Sequence, residues 1–333
     1  MSPPSCSPAR LPSRSAILDG VLLVNLGTPS APTPDAVRRY LAEFLSDPRV
    51  VELRRFIWLP ILHGIVLRTR PAKSAKKYAS VWTPEGSPLA VHTRRQADLL
   101  REVFLQERIA VEYAMRYGQP GIADALKRLS NCRQVVVLPL YPQFARSTTE
   151  SIRDVLGTSV GPKVSMLENF HDHPAYIAAL AAGVQRHWAA HGKGDRLVMS
   201  FHGLPQRAVD QGDPYQKQCL ATAKILAGVL RLAPADYLVT FQSRFGAAKW
   251  LQPYTEPTLI ELARKGVRRV DVVCPGFVSD CLETLEEIAI EAKHAFLGAG
   301  GKEFHALPCL NESPEWIAAL ARITREAGTR SNP

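Results

Sequence analysis

A histidine closing one apolar run and three acids heading a later segment are the residues of this chain best suited to chemistry. The run Leu197–Phe201 is short and is closed by His202-Gly203-Leu204-Pro205. Short apolar runs bounded by turn residues predict buried strands, and Gly203 and Pro205 stop this one. His202 therefore stands at a strand's carboxyl end, the side on which open α/β sheets bind ligands. Alone, such a histidine could do no more than hydrogen-bond inside a turn. Downstream, Ser279 reads as the N-cap of a helix rich in acids. Asp280, Glu283 and Glu287 recur at three and four residues and so share one helical face, while Glu286 points away and serves the helix dipole and solubility. Like charges at that spacing repel unless a metal ion or a proton joins them. An ion-pair network with basic residues is the competing account. A neutral imidazole suits iron, zinc or copper, and a carboxylate is a harder ligand or a proton acceptor. His202 facing Glu283 could hold a divalent metal transiently and pass it on.

The elements that must position these groups follow from the apolar pattern. Strands are predicted at Gly20–Leu26, Ala110–Tyr113, Gln134–Leu140 and Val164–Leu167, then at Arg196–Phe201, Asp236–Phe241, Arg269–Cys274 and Phe304–Leu307. Helical patterns separate them, among them a helix N-capped by Thr33 and a long helix from Pro174 to Trp188. Strands alternating with helices predict parallel sheets with right-handed crossovers. The halves repeat weakly: each opens with a strand ending in a polar residue near glycine, and each third strand ends in a proline–aromatic turn. The expected fold class is α/β, two Rossmann-like domains, each a four-stranded parallel sheet flanked by helices, with a cleft between. The expected boundaries are a disordered tail at 1–16, domains at 17–172 and 173–312, and a C-terminal helix and tail at 313–333. Other unusual polar residues also follow strands: Asn25 and Thr28; Tyr141 and Arg146 to Thr149; and Gln242 to Phe245 with Trp250 close behind. All should face one crevice.

Composition narrows the partners. Hydrophobic residues are 46% and charged residues 22% of the 333, and the formal net charge is +10. That balance favours anionic partners, a carboxylate-bearing substrate among them. No basic tail, zinc-finger spacing or RNA-binding signature is present, so nucleic acid is not expected. Six cysteines without a C-x-x-C pair fit a reducing cytoplasm. No apolar run is long enough to span a membrane. The stretch Arg54–Arg68 is strongly apolar, contains Trp58 and Pro60, and is bracketed by arginines. It reads equally as a buried helix interrupted at Pro60 or as a lip over the site that touches lipid.

At these residues the sequence resembles the ferrochelatase family, whose members insert Fe(II) into protoporphyrin IX to make haem. The resemblance runs from Val21 to about Leu320 and is carried by five blocks in order. They are Val24-Asn-Leu-Gly-Thr-Pro29, Gly86-Ser-Pro-Leu89, Leu140-Tyr-Pro-Gln-Phe144 with Ser147-Thr-Thr149, Ser200-Phe-His-Gly-Leu-Pro205, and Pro275-Gly-Phe-Val-Ser-Asp-Cys-Leu-Glu-Thr-Leu285. It implies His202 and Glu283 as the catalytic, iron-contacting pair. It also implies Leu26 and Tyr141 in the porphyrin pocket, Trp250 at its border, and Arg68 or Arg70 at its rim. Protoporphyrin IX and ferrous iron are then the expected partners, with peripheral membrane contact through the lip. Phe56, Ile57, Trp58, Ile61 and Leu62 of the lip, with Trp250, are candidates to grip the ring. Arg54, Arg55, Arg68, Arg70 and Ser87 are candidates for its propionates, and Asp280 and Glu287 for a proton relay. Some family members hold a 2Fe–2S cluster on a C-terminal cysteine group. Here only Cys309 lies in that region, so no such cluster is expected. A cobalt chelatase of corrinoid synthesis and a non-catalytic tetrapyrrole carrier are the rival expectations.

Overall fold

The computed structural model describes residues 18–157, 163–246 and 248–330. The expected tail at 1–16 and the last residues, 331–333, lie outside the described residues.

Two four-stranded sheets carry the fold, and every strand pairing in them is parallel. The first contains β1 (Gly20–Gly27), β2 (Ala110–Tyr117), β3 (Gln134–Pro139) and β4 (Lys163–Met166), in the spatial order β2-β1-β3-β4. The second contains β5 (Arg196–His202), β6 (Tyr237–Gln242), β7 (Arg269–Val273) and β8 (Glu303–Ala306), in the order β6-β5-β7-β8. The repeat faint in the sequence is thus a repeat of topology. Every residue of β3 is buried and nearly every residue of β1, which is why both read as unbroken apolar runs rather than alternations. In both sheets the strand order reverses beside the first strand of the half, β1 or β5, and a ligand crevice belongs beyond the carboxyl ends at such a point.

One core runs through both halves. It joins Val21 and Leu23 of β1 and Val136 and Leu138 of β3 to Met199 and Phe201 of β5. Between them stand the helix Pro174–His191 and the last helix, Pro314–Arg330. Trp316 of that last helix is fully buried and lies 5.9 Å from the Phe170 ring and 6.2 Å from that of Tyr176. The outer faces of the sheets have cores of their own, around Leu22 and Ile122 and around Val198 and Leu259.

A fourth cluster lies under the arginine-bracketed stretch. Thr33 caps the helix Pro34–Leu45 as predicted, accepting from the Ala36 N–H at 3.4 Å. The chain is then helical from Arg55 to Val81, with Pro60 and Pro71 inside and a π-helical turn at Leu62–Val66. Such a turn lets a helix continue past a proline that removes a backbone donor. The expectation of a buried helix holds for part of this stretch. Trp58 and Leu62 are buried against Val37 and Leu41, and Trp58 Nε1 donates to the Leu45 carbonyl at 2.6 Å. Phe56, Ile57, Ile61 and Ile65 are exposed. Among the described residues no helix is long and apolar enough to cross a membrane.

Candidate active site

The carboxyl ends of both sheets open on a cavity of about 1200 Å³. That exceeds the ~300–1,000 Å³ of ordinary small-molecule pockets. His202, the last residue of β5, lines it. Its Nδ1 lies 2.6 Å from the Gly203 carbonyl oxygen. Only a protonated Nδ1 can donate there, so Nε2 carries the free lone pair. Gly203 is needed for a close approach: a Cβ on it would fall 2.6 Å from the Gln242 carbonyl oxygen and 3.2 Å from Trp250. The glycine thereby lets the end of β6 and the indole pack against the turn that follows His202.

Glu283 opens a π-helix, Glu283–Ala292, that follows β7, and it lines the same cavity. Its backbone is tied to β5 and β6. Gln242 Nε2 donates to the Glu283 carbonyl at 2.8 Å, and Gln242 Oε1 accepts from Ser200 Oγ at 2.7 Å. Glu287 also lines the cavity, and its carboxylate accepts from the Ser243 N–H at 2.6 Å and from the Ser243 hydroxyl. These bonds hold Ser243 at φ +63°, a left-handed conformation that a serine rarely adopts without such support. Burial pushes the Glu287 carboxyl above its usual pKa, and the charge of Glu283 adds to the rise. The Ser243 bonds and the neighbouring His202 pull the other way without cancelling it.

Three expectations for this segment need correction. Ser279 is not a helix cap; its hydroxyl accepts from Gln96 Nε2 at 3.0 Å, and the helix begins at Leu282. Asp280 therefore precedes the helix and leaves the acidic face. Its carboxylate is taken up by Thr284 Oγ1 at 2.9 Å, Asn311 Nδ2 at 2.7 Å and the Cys309 N–H at 3.3 Å, and it does not line the cavity. Glu286 does not point to solvent; it is buried on the cavity wall and pairs with Lys77 Nζ at 2.9 Å.

The other predicted residues divide. Leu26, Arg70, Ser87, Tyr141 and Trp250 all line the cavity. The Tyr141 hydroxyl donates to Asn25 Oδ1 at 2.5 Å and accepts from the Leu26 N–H at 3.0 Å, fixing the wall after β1. Thr28 Oγ1 donates to Ser87 Oγ at 2.8 Å, and Trp250 Nε1 donates to the Phe245 carbonyl at 2.8 Å. The Arg70 guanidinium sits 4.5 Å from the centre of the Phe245 ring, and burial lowers its pKa. Among the described residues no carboxylate forms an ion pair with it. Arg68, by contrast, is exposed and outside the wall, as are Arg54 and Arg55. Leu62 is fully buried in the core, so it grips nothing, and Phe56, Ile57 and Ile61 also lie off the wall. Of the lip residues among the grip candidates Trp58 alone reaches the cavity, and Trp250, the candidate outside the lip, lines it as well.

Sequence reasoning missed Tyr40, Lys73, Lys77 and Tyr78, which are also on the wall. The signal was present: positions 70, 73, 74, 77 and 78 form one stripe at helical spacing on the helix Leu67–Val81.

Comparison with known proteins decides the family. The ferrochelatase family model matches residues 18–328. A relative from Azoarcus sp. (strain BH72) that bears the name ferrochelatase is 58% identical over 318 residues, covering 93% of this chain and 88% of its own. The chain belongs to the ferrochelatase family. Another ferrochelatase, from Polaromonas sp. (strain JS666 / ATCC BAA-500), is 56% identical over 331 residues, covering 96% of this chain and 90% of its own. Among solved structures, SirB from Bacillus subtilis with Fe3+ has a TM-score of 0.53 at 13% identity, covering 94% of this chain and 96% of its own. At that identity the likeness is one of fold. Each of the five ferrochelatase-like blocks contributes residues to the cavity wall: Asn25–Thr28, Ser87, Tyr141, His202–Pro205 and Gly276–Ser279 with Glu283.

Proposed function

We propose that this chain inserts Fe(II) into protoporphyrin IX within the 1200 Å³ cavity, forming protohaem and releasing the two pyrrole N–H protons. The observation that carries it is that His202 from the end of β5 and Glu283 from the segment after β7 line one cavity wide enough for a macrocycle. His202 takes one pyrrole proton on Nε2, the nitrogen left free by the Gly203 bond. Glu283 meets the metal as it enters. Glu287, whose carboxyl favours protonation more than an ordinary glutamate, accepts a proton and passes it towards solvent. Asp280 has no place in that relay, because its oxygens are committed to Thr284, Asn311 and Cys309.

In this scheme the half 17–172 supplies most of the grip, and the half 173–312 adds Trp250 to it and carries the metal and proton chemistry. Leu26, Tyr141, Trp58 and Trp250 press on the ring, and binding energy from its faces offsets the strain of bending it. Arg70 takes a propionate, with Ser87 as a hydroxyl partner. The exposed Phe56, Ile57, Ile61 and Ile65 rest on a membrane surface, where an apolar porphyrin enters and leaves. No step of the insertion calls on an iron–sulfur cluster.

Insertion of Fe(II), and of Zn(II), which imidazole and carboxylate bind at least as well, into protoporphyrin by the purified protein tests this directly. His202→Ala is expected to lower the rate at least ~100-fold, the low end of general-base effects, without changing the circular dichroism spectrum. Wild-type turnover in that variant would refute the assignment of the base.

A further inference from the structure

Away from the cavity, three imidazoles converge at the opposite end of the second sheet. His187 and His191 occupy the last turns of the helix Pro174–His191, and His305 lies on β8. One nitrogen of each lies within 4.8 Å of those of the other two. Ring centroids are 4.6 Å apart for His187 and His191 and 4.9 Å for His187 and His305. Asp271, which pairs with His305 across β7 and β8, is level with Leu197 on β5. Leu197 is five residues before His202, so roughly 16 Å of strand separates the cluster from the insertion site. None of the three histidines lines the cavity.

Hydrogen bonding accounts for only part of this arrangement. His305 Nε2 lies 2.7 Å from Glu303 Oε1, and His191 Nδ1 lies 3.2 Å from the His187 carbonyl oxygen. Each contact takes one ring N–H and leaves the other nitrogen with its lone pair. A carboxylate holding the far N–H of an imidazole is the outer-shell arrangement that orients histidine ligands on a metal. His187 Nε2 is buried, makes no hydrogen bond and lies 3.7 Å from Asp271 Oδ1. Buried nitrogens are almost always paired, so this one lacks a partner that the site can accommodate.

We propose that His187, His191 and His305 form a second metal site, for a divalent ion of the zinc, cobalt or nickel class, that ties β8 to the helix Pro174–His191. Three imidazoles select such ions over magnesium or calcium. Metal–nitrogen bonds of ~2.0–2.1 Å require the nitrogens to close to about 3.3 Å, with water in a fourth position. That movement is small, and His191 is exposed, so its ring is free to make it. The ion here is held rather than inserted, because none of its three ligands lines the cavity.

The test uses the full chain without an affinity tag. Zn(II) stoichiometry is measured by equilibrium dialysis and thermal midpoint by calorimetry, for the wild type, His191→Gln and His305→Gln. Neither substituted side chain is buried, so both variants are expected to fold. The wild type should bind one more Zn(II) than either variant, or bind it at least tenfold more tightly. Zn(II) should also raise the wild-type midpoint more than theirs. Zinc insertion into protoporphyrin should stay within twofold of wild type in both variants. Equal Zn(II) binding in all three proteins would overturn the site, and a variant that lost insertion together with binding would overturn its independence. The insertion assay reads the catalytic cavity separately, so failure of one proposal is distinguishable from failure of the other.

Discussion

His202, Glu287 and Asp280 show how far residue type alone determines a role. Asp280 and Glu287 look interchangeable as acids flanking Glu283, yet one braces a loop and the other faces the cavity. Glu287→Gln keeps an acceptor for Ser243 but removes the titratable oxygen. It is expected to slow metal insertion by about tenfold, less than the ~100-fold at the low end of direct acid–base catalysis because in the proposed relay Glu287 passes the proton on rather than taking it from the ring, with little change in thermal midpoint. Asp280→Asn leaves hydrogen bonds from Asn311 or Cys309 unanswered. It should cost about 1–3 kcal/mol of stability and leave the insertion rate per folded molecule unaltered. Stopped-flow zinc insertion and urea unfolding on the two variants separate the roles; matching rate losses would return Asp280 to the relay.

Among the elements, the loop after the helix Pro34–Leu45 depends on one buried carboxylate. Asp47 accepts from Arg116 at 2.7 Å, Tyr117 at 2.8 Å, Ser151 at 2.6 Å and the Arg49 N–H at 2.7 Å, joining that loop to β2 and to the helix Ser151–Leu156. Burial by itself would raise its pKa. The bonds from Ser151, Arg49 and Tyr117 and the charge of Arg116 outweigh burial and hold it below the usual carboxylate range. A carboxyl with a depressed folded pKa stabilises the fold above its unfolded value, and that stability is lost as pH falls through the folded value. Asp47→Ala should therefore cost about 3–5 kcal/mol at neutral pH, as expected for stranding a buried partner charge. Asp47→Asn should flatten the stability profile below about pH 4, the region of the unfolded pKa. Denaturant unfolding between pH 3 and 7 reads both, and parallel wild-type and Asp47→Asn profiles would refute the linkage.

On the scale of the whole molecule, the exposed apolar face of Phe56, Ile57, Ile61 and Ile65 lies beside the cavity rather than inside it, on a chain of formal net charge +10. Apolar side chains flanked by arginines suit an anionic bilayer. Phe56→Ser with Ile65→Ser should reduce co-sedimentation with phosphatidylglycerol vesicles several-fold and leave kcat for porphyrin in detergent unchanged. Undiminished sedimentation would remove the membrane from the scheme.

What the sequence by itself determined was the order of eight strands, the motif blocks that line the cavity, and the choice of His202 and Glu283, which the fold brings to one cavity wall. Each of these depends on local apolar period, on turn residues such as Gly203, or on motifs that do not need long-range contacts to be read. Observed strand ends differ from those predicted by a few residues at most, β2 extending past Tyr113 to Tyr117. Only the tertiary structure decided which neighbours of those motifs face the cavity. A helix start displaced to Leu282 removed Asp280 from the acidic face and turned Glu286 inward to Lys77, 209 residues away along the chain. The same limit applies to the stripe from Arg70 to Tyr78 and to the three histidines, drawn from a helix and a strand more than 110 residues apart. Their meeting depends on the packing of distant elements, which no local spacing encodes.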